Sequence, residues 1–301
     1  KNVVILDNLK TGYKSLINKK AKFIKGDVSN IKLVKRIIEK NNVTTIIHLA
    51  GFIDVIESET QKKKYYKNNV LGTLCLIKAI ENSPVINFIF SSTAGVYGNI
   101  KKAAKETMKT KPINYYALTK LKCELIIKKY SKKYNFNYAI LRYFNVCGAS
   151  PVGKIGITNK KNNSFFNILA KEALKPKPVI NIFGNKHKSH DGTCLRDFIH
   201  VSDLASIHLK TLQVLNNKKK SFIINCGYGE ANSILEIANL FKKKINKLTK
   251  INFKKARKGE IVISYSNTDK MKKILKWKPK YNNIKKLLQS MINWQKKLKN
   301  K

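Results

Sequence analysis

Short apolar runs alternate along the chain with longer stretches of helical periodicity. The segments VVIL (3–6), AKFIKG (21–26), TTIIHLA (44–50), NFIFSS (87–92) and YAILRYF (138–144) read as strands. Helical patterns lie between them, near 30–41, 65–82 and 115–133. This alternation predicts an α/β fold with helices packed about a parallel sheet. The pattern becomes irregular through 147–200, where NIFG (181–184) reads as a short strand. A helix near 202–215, a strand FIINCG (222–227) and helices near 232–246 and 282–298 complete the series. No repeat or low-complexity linker interrupts it.

Composition bounds the function. A chain of 301 residues with 43% apolar positions can bury a full core, and no run of eighteen apolar residues suggests a membrane span. The five cysteines, Cys75, Cys123, Cys147, Cys194 and Cys226, lack framework spacing, which fits reduced thiols in a cytoplasm. The five histidines show no ligand spacing, so no metal is expected. The net charge of +45 points at first to nucleic acid. Only Arg36, Arg142, Arg196 and Arg257 contribute guanidinium groups, however, and the lysines are dispersed. Lysine, asparagine and isoleucine are inflated together, as codon bias in an A/T-rich genome would produce. A solvated lysine surface with nonspecific affinity for polyanions therefore accounts for the charge better than a specific nucleic-acid partner.

Candidate chemistry gathers at the predicted strand ends. Asp7 ends the first strand, where a carboxylate can accept hydrogen bonds from a ribose or simply cap a turn. Asp27, in KGDVS, can meet an adenine amino group or cap the next helix. HLAG (48–51) closes the third strand with small residues that admit a flat ligand or form a tight turn. SSTAGVYG (91–98) sets Ser91, Ser92 and Thr93 at the edge where open α/β sheets bind ligands. Tyr-x-x-x-Lys occurs three times, at Tyr97/Lys101, Tyr116/Lys120 and Tyr281/Lys285, which is the number chance allows in so lysine-rich a chain. Tyr97 lies in the loop of the hydroxyl-lined strand end and Tyr281 near a late helix, whereas Tyr116 opens a predicted helix after it and shares a helix face with Lys120. An ammonium near a phenol favours the phenolate, so the pair predicts a general base.

With these segments in order, the chain resembles the extended short-chain dehydrogenase/reductase superfamily and, within it, the UDP-glucose 4-epimerase family. LDNLKTG, IIHLAG, YYKNNVLGT, FIFSSTAGVYG, YALTK, LRYFNVCGASPVGKIG, DGTCLRDFIHVSDLA, NCGYGEANSI and ARKGEIVISYSN carry the likeness from end to end. The resemblance implies a Rossmann-like doubly wound parallel sheet at 1–145 that holds NAD. It also implies a smaller, irregular UDP-sugar lobe at 146–301, with parts near 202–227 returning to the sheet. Tyr116 would move the proton of the sugar 4-hydroxyl, Lys120 would assist it, and Thr93 would bond the reacting oxygen. Asp7, Asn8, Asp27, Val28, Leu49, Ala50, Gly51, Asn69, Ser91 and Tyr143 would hold the cofactor together with Tyr116 and Lys120. Asn145, Asn163, Asn181, Phe183, Arg196, Arg257, Glu260 and Ser264 would hold the UDP-sugar, and a homodimer is the family precedent. Other nucleotide-sugar epimerases, or a degenerate nucleotide- or RNA-binding relative, are the competing readings.

Three departures stand out. No G-x-x-G-x-x-G turn occurs, which predicts that roughly 25–30 residues carrying it precede Lys1, with their strand between those at 3–6 and 44–50. Ile53 stands where the family often has a lysine. Ser264 stands where relatives carry a tyrosine or a small residue, leaving room for an N-acetyl sugar.

Overall fold

The computed structural model describes residues 2–158, 162–257 and 259–300. The chain divides into two compact units, 1–96 with 110–142 and 211–223, and 97–109 with 143–210 and 224–301.

In the first unit, β1 (Val4–Asp7) and β2 (Lys22–Lys25) pair in parallel as a two-stranded sheet. Strand β3 (Thr45–His48) pairs in parallel with β4 (Asn87–Thr93), which is followed by β5 (Asn137–Tyr143) and then by the strand that starts at Phe222. Among the described residues no strand joins β1 to β3. The helices are α1 (Ile31–Lys40), α2 (Val55–Thr60), α3 (Lys62–Tyr65), α4 (Gly72–Lys78) and α5 (Tyr115–Tyr134). Helix α1 begins where Asn30 accepts Leu33 N–H at 3.0 Å, and Val34, Ile37 and Ile38 form its buried stripe. That stripe joins Ile77, Phe88, Phe90, Ile127 and Ile140 in one core. Each such side chain contributes about 1.5–3 kcal/mol by leaving water.

The predicted helix near 65–82 differs in detail. Helical chain starts ten residues earlier, because Asp54 accepts Glu57 N–H at 2.9 Å and caps α2. Residues Tyr66–Leu71 then form a π-helical turn before α4. Apolar periodicity does not reveal such a turn, since its wider winding is fixed by what its side chains bond.

In the second unit the elements are β6 (Asn145–Cys147), α6 (Phe165–Glu172), β7 (Val179–Phe183), β8 (Leu195–Arg196), β9 (Phe198–His200) and α7 (Val201–Lys218). They continue with β10 (Phe222–Cys226), β11 (Asn232–Ser233), α8 (Ile234–Lys244), β12 (Lys250–Lys254), β13 (Ile263–Ser264), α9 (Asp269–Leu275) and α10 (Ile284–Lys299). Helix α7 and strand β10 pass from one unit to the other in sequence. The stretch 147–200, irregular by pattern, thus carries a helix and three strands. Two of those strands have only two or three residues and are defined by distant partners, β9 by β6 and β8 by β11 and β13. Phe166, Leu169, Ile180, Phe198, Phe241, Leu287 and Met291 make the core of this unit. No helix among the described residues is long and apolar enough to cross a membrane, and all five cysteines are free thiols.

Candidate functional site

The first unit builds a site around the carboxyl end of β4. Helix α5 starts there because Asn114 accepts Ala117 N–H at 2.9 Å. Two side chains from α2 secure the same turn: Ser58 Oγ accepts Tyr116 N–H (3.0 Å) and Glu59 accepts Tyr115 N–H (2.6 Å). Tyr116 is thereby fixed in the first turn, with Lys120 one turn further on. The Tyr116 hydroxyl is hydrogen-bonded to Thr93. Thr93 Oγ1 already accepts Gly95 N–H at 3.1 Å, so its own proton is free to aim at the phenol oxygen. Lys120, 3% exposed, donates to the Ser91 carbonyl at 2.8 Å and stands over the Phe90 ring.

Burial sets the proton affinities of this pair. It pushes Tyr116 up to about 12, opposed by the Thr93 hydrogen bond, and pushes Lys120 down to about 8. The phenol is therefore neutral at pH 7. The hydrogen bond with Thr93 favours its ionised form, while desolvation, the larger influence, resists it.

The residues expected to hold a dinucleotide gather at the ends of β1, β2 and β3. Asp7, Asn8, Asp27, Val28, Ala50 and Gly51 line one recess. Asn8 donates to Asp27 at 2.8 Å, and Asp27 also accepts Ser29 N–H at 3.0 Å. The Ser29 amide, with Asn8 and Lys10, holds the Asp27 carboxyl below its usual range against the cost of burial. Asp7 accepts Leu9 N–H at 2.6 Å. Gly51 keeps the floor open: a Cβ there would sit 3.3 Å from Asn69 Oδ1 and 3.4 Å from Lys120 Nζ. Asn69, buried in the π-helical turn, clamps the loop below by accepting Phe52 N–H (2.8 Å) and donating to Phe52 O (3.0 Å). Ser91 donates its hydroxyl to His48 O at 3.1 Å. Leu49 is 60% exposed at the end of β3.

These features suit NAD. Carboxylates stand where ribose hydroxyls would donate, and a recess floored by glycine would be filled by any larger residue.

Tyr143 belongs to the second unit, where its hydroxyl meets His208 Nε2 at 2.7 Å. Within that unit three of the expected UDP-sugar residues form one cluster. Arg196 Nη2 lies 3.6 Å from Glu260 Oε1, and its Nη1 donates to the carbonyls of Leu195 and Val262 at 3.0 Å. Ser264 is the strand neighbour of Arg196. The Arg257 guanidinium stacks 3.8 Å over the Phe183 ring, a geometry that holds a cation by the ring quadrupole. Asn181 shares the outer face of β7 with Phe183. Asn145 and Asn163 are exposed, on β6 and just before α6, and neither bonds that cluster.

Several contributors escaped the sequence reading. Ser58 and Glu59 orient the first turn of α5. Glu124, four residues after Lys120, is fully buried and accepts from Ser92 Oγ (2.5 Å), Arg142 Nε (3.0 Å) and Arg142 Nη2 (2.7 Å). The available signal was an acidic residue on the helix face that already held Tyr116 and Lys120.

Comparison with known proteins places the chain. A model of the NAD dependent epimerase/dehydratase family matches residues 1–227. The UDP-glucose 4-epimerase of Haemophilus influenzae is 36% identical over 307 residues, covering 98% of this chain and 90% of that protein. The UDP-glucose 4-epimerase of Bifidobacterium longum, solved with NAD+ and UDP, is 30% identical with a TM-score of 0.91, covering 99% of this chain and 92% of the other. The UDP-Glc/GlcNAc 4-epimerase of Campylobacter jejuni is 34% identical with a TM-score of 0.82, covering 98% and 92%.

Proposed function

The chain belongs to the NAD dependent epimerase/dehydratase family, and we infer from this that it is an NAD-dependent UDP-glucose 4-epimerase, an isomerase that interconverts UDP-glucose and UDP-galactose. The observation that carries the residue assignment is the Thr93–Tyr116 hydrogen bond at the end of β4, with Lys120 buried one turn beyond.

NAD, held by the strand-end residues of the first unit, would supply the hydride acceptor and donor for the sugar C4. Tyr116, once ionised, takes the proton of the sugar 4-hydroxyl on its phenolate oxygen and returns it to the oxygen on C4. Thr93 holds the reacting oxygen and the phenol in one hydrogen-bonded line. Lys120 places positive charge near the phenolate as it forms. Asp7, Asn8, Asp27, Val28 and Gly51 bind the adenosine side of the cofactor, Asn69 and Ser91 hold the strand-end loops in place, and Leu49, Ala50 and Tyr143 add the remaining cofactor contacts. Arg196 and Arg257 meet the pyrophosphate, Glu260 accepts from the uridine ribose, and Phe183 supports Arg257. Asn145, Asn163 and Asn181 complete the UDP-sugar contacts. Residues 1–145 thus serve the cofactor and 146–301 the UDP-sugar.

The test is Tyr116→Phe. The variant keeps its NAD content and loses at least about a hundredfold in kcat, as removal of a general base predicts. Unchanged kcat would transfer the role to another group.

Ser264 favours a wider substrate range, because a serine there leaves room beside the sugar 2-substituent. UDP-GlcNAc and UDP-GalNAc are then interconverted as well. Product analysis on both sugar pairs checks this, and turnover of UDP-galactose without turnover of the N-acetyl pair would refute it. A homodimer is supported by apolar side chains left outside on the helices of the first unit, Leu125 at 57% exposure and Ile56 at 69%. Light scattering tests it, with Leu125→Glu expected to shift the mass to that of one chain. A cytoplasmic location accords with the free thiols.

A further inference from the structure

The histidines and cysteines have no metal-ligand spacing in sequence, yet the fold of the second unit brings three ligand types together. The connection from β7 to β8 doubles back on itself. Gly184 and Gly192 take positive φ values of 81° and 78° at its two ends, and His187 N–H donates to Gly192 O at 2.9 Å. Ser189 Oγ donates to Thr193 O at 2.6 Å, and Asp191 Oδ1 accepts Thr193 N–H at 2.9 Å. The closed loop lays the His187 ring against Gly184, where any Cβ would strike the imidazole. It also brings that ring to Cys194 at the entry of β8. Glu260 arrives from the segment before β13.

Ligand atoms of His187, Cys194 and Glu260 all lie within 4.8 Å of one another. His187 Nε2 is buried and has no hydrogen-bond partner, the Glu260 carboxylate meets the Cys194 thiol, and Cys194 is 3% exposed. A buried polar atom without a partner costs about 1–3 kcal/mol, so an unpartnered imidazole nitrogen beside a thiol and a carboxylate is an expensive arrangement in a cluster without a ligand. The Glu260–Arg196 contact, at 3.6 Å, is too long to satisfy the carboxylate.

We propose that His187 Nε2, Cys194 Sγ and Glu260 Oε2 form a binding site for a thiophilic divalent cation of the Zn2+ class. Imidazole, thiolate and carboxylate are the donor set such an ion selects, and three protein ligands leave a fourth position open. Metal–ligand bonds of about 2.0–2.3 Å need donor atoms about 3.3–3.8 Å apart, so the side chains close by roughly 1 Å on binding. The thiol gives up its proton to solvent, and the metal–thiolate and carboxylate charges then cancel that of the ion. One proton is released for each ion bound. In a manner that rests on the UDP-sugar assignment above, the ion draws Glu260 away from the nucleotide, so it raises KM for UDP-sugar and leaves kcat unchanged.

The experiment uses the reduced full chain, titrated with Co2+ as a spectroscopic stand-in for Zn2+ and without nucleotide. A thiolate-to-cobalt charge-transfer band with the intense visible absorption of a tetrahedral site is expected, and one equivalent of Zn2+ should displace it. Cys194→Ser removes the band, and His187→Ala weakens binding by about tenfold or more. Cys75→Ser, which alters a thiol outside the site, leaves it unchanged. Absence of the band in the unmodified chain overturns the site, as does its survival in Cys194→Ser. The kinetic arm is separate: a normal band with an unaltered KM would preserve the metal site and refute Glu260 as a nucleotide ligand.

Discussion

Glu124 offers the most demanding test of how this fold holds its catalytic pair. Its carboxylate is fully buried and receives a bidentate approach from Arg142, itself 3% exposed, at 3.0 and 2.7 Å, together with the Ser92 hydroxyl at 2.5 Å. Three elements meet at this point: β4 through Ser92, α5 through Glu124 and β5 through Arg142. Glu124→Ala leaves a guanidinium in the interior without its counter-charge. Breaking a buried pair from one side costs about 3–5 kcal/mol, most of it the desolvation of the remaining charge. With a urea dependence of about 3 kcal/mol per molar, the unfolding midpoint falls by roughly 1–1.7 M. The double variant Glu124→Leu/Arg142→Met removes both charges and fills the space, so it recovers most of that loss. Urea unfolding of the parent, both single variants and the double variant measures the cycle. A single-variant loss below about 1 kcal/mol would refute the reasoning, as would a double variant no more stable than either single one. In Glu124→Ala below its transition, kcat falls while KM holds, because Ser92 adjoins Thr93 and Glu124 lies one turn from Lys120.

Three further outcomes follow from the proton affinities. Lys120 titrates at about 8 in the fold against 10.5 in the open chain, so the unfolded chain binds more protons between those values and stability rises with pH across that window. Lys120→Met therefore loses this rise of stability between pH 8 and 10.5 and is inactive; equal pH dependence of parent and variant in urea unfolding would refute this. His48 is held neutral by burial, titrating at about 3 rather than 6.5, so parent stability falls as pH drops from 6.5 towards 3, and His48→Gln shows a shallower fall in the same window by circular dichroism. Thr93→Val removes the hydrogen bond that opposes the upward shift of Tyr116, so kcat drops and the rising limb of its pH profile moves to higher pH.

The sequence resolved the parts of this molecule that repeat a local rule. The strands at 4–7, 22–25, 45–48, 87–93 and 137–143 were legible because each is a short apolar run between turn residues. Tyr116 could be separated from Tyr97, which lies in the turn directly after β4, because it opens a helix that carries Lys120 one turn on, and from Tyr281 because that residue lies far from the hydroxyl-rich end of β4. What stayed hidden depends on distant partners. Strand β8 is two residues long and exists only through Asn232–Ser233 and Ile263–Ser264. The Ser58 and Glu59 contacts to α5 span 58 and 56 positions, beyond the reach of any window. The pattern of Tyr116 and Lys120 predicts a phenol shifted towards its ionised form, whereas burial, a property of packing, raises its proton affinity instead.

The winding of residues Tyr66–Leu71 has a consequence for how this chain tolerates change in length. A π-helical turn holds one residue more than the α-helix around it can accommodate, and here that turn contains Asn69, which bonds both backbone groups of Phe52. Deleting a single residue from this stretch closes the wide turn into ordinary winding and keeps the flanks in register, but it turns the side chains of the stretch itself by up to about 100°. Asn69 would then point away from the loop it holds, while α4 keeps Leu76 and Ile77 in the core. Most surface turns of this chain can gain or lose a residue at little cost, but this segment, helical and without glycine at its centre, has a length as fixed as its composition.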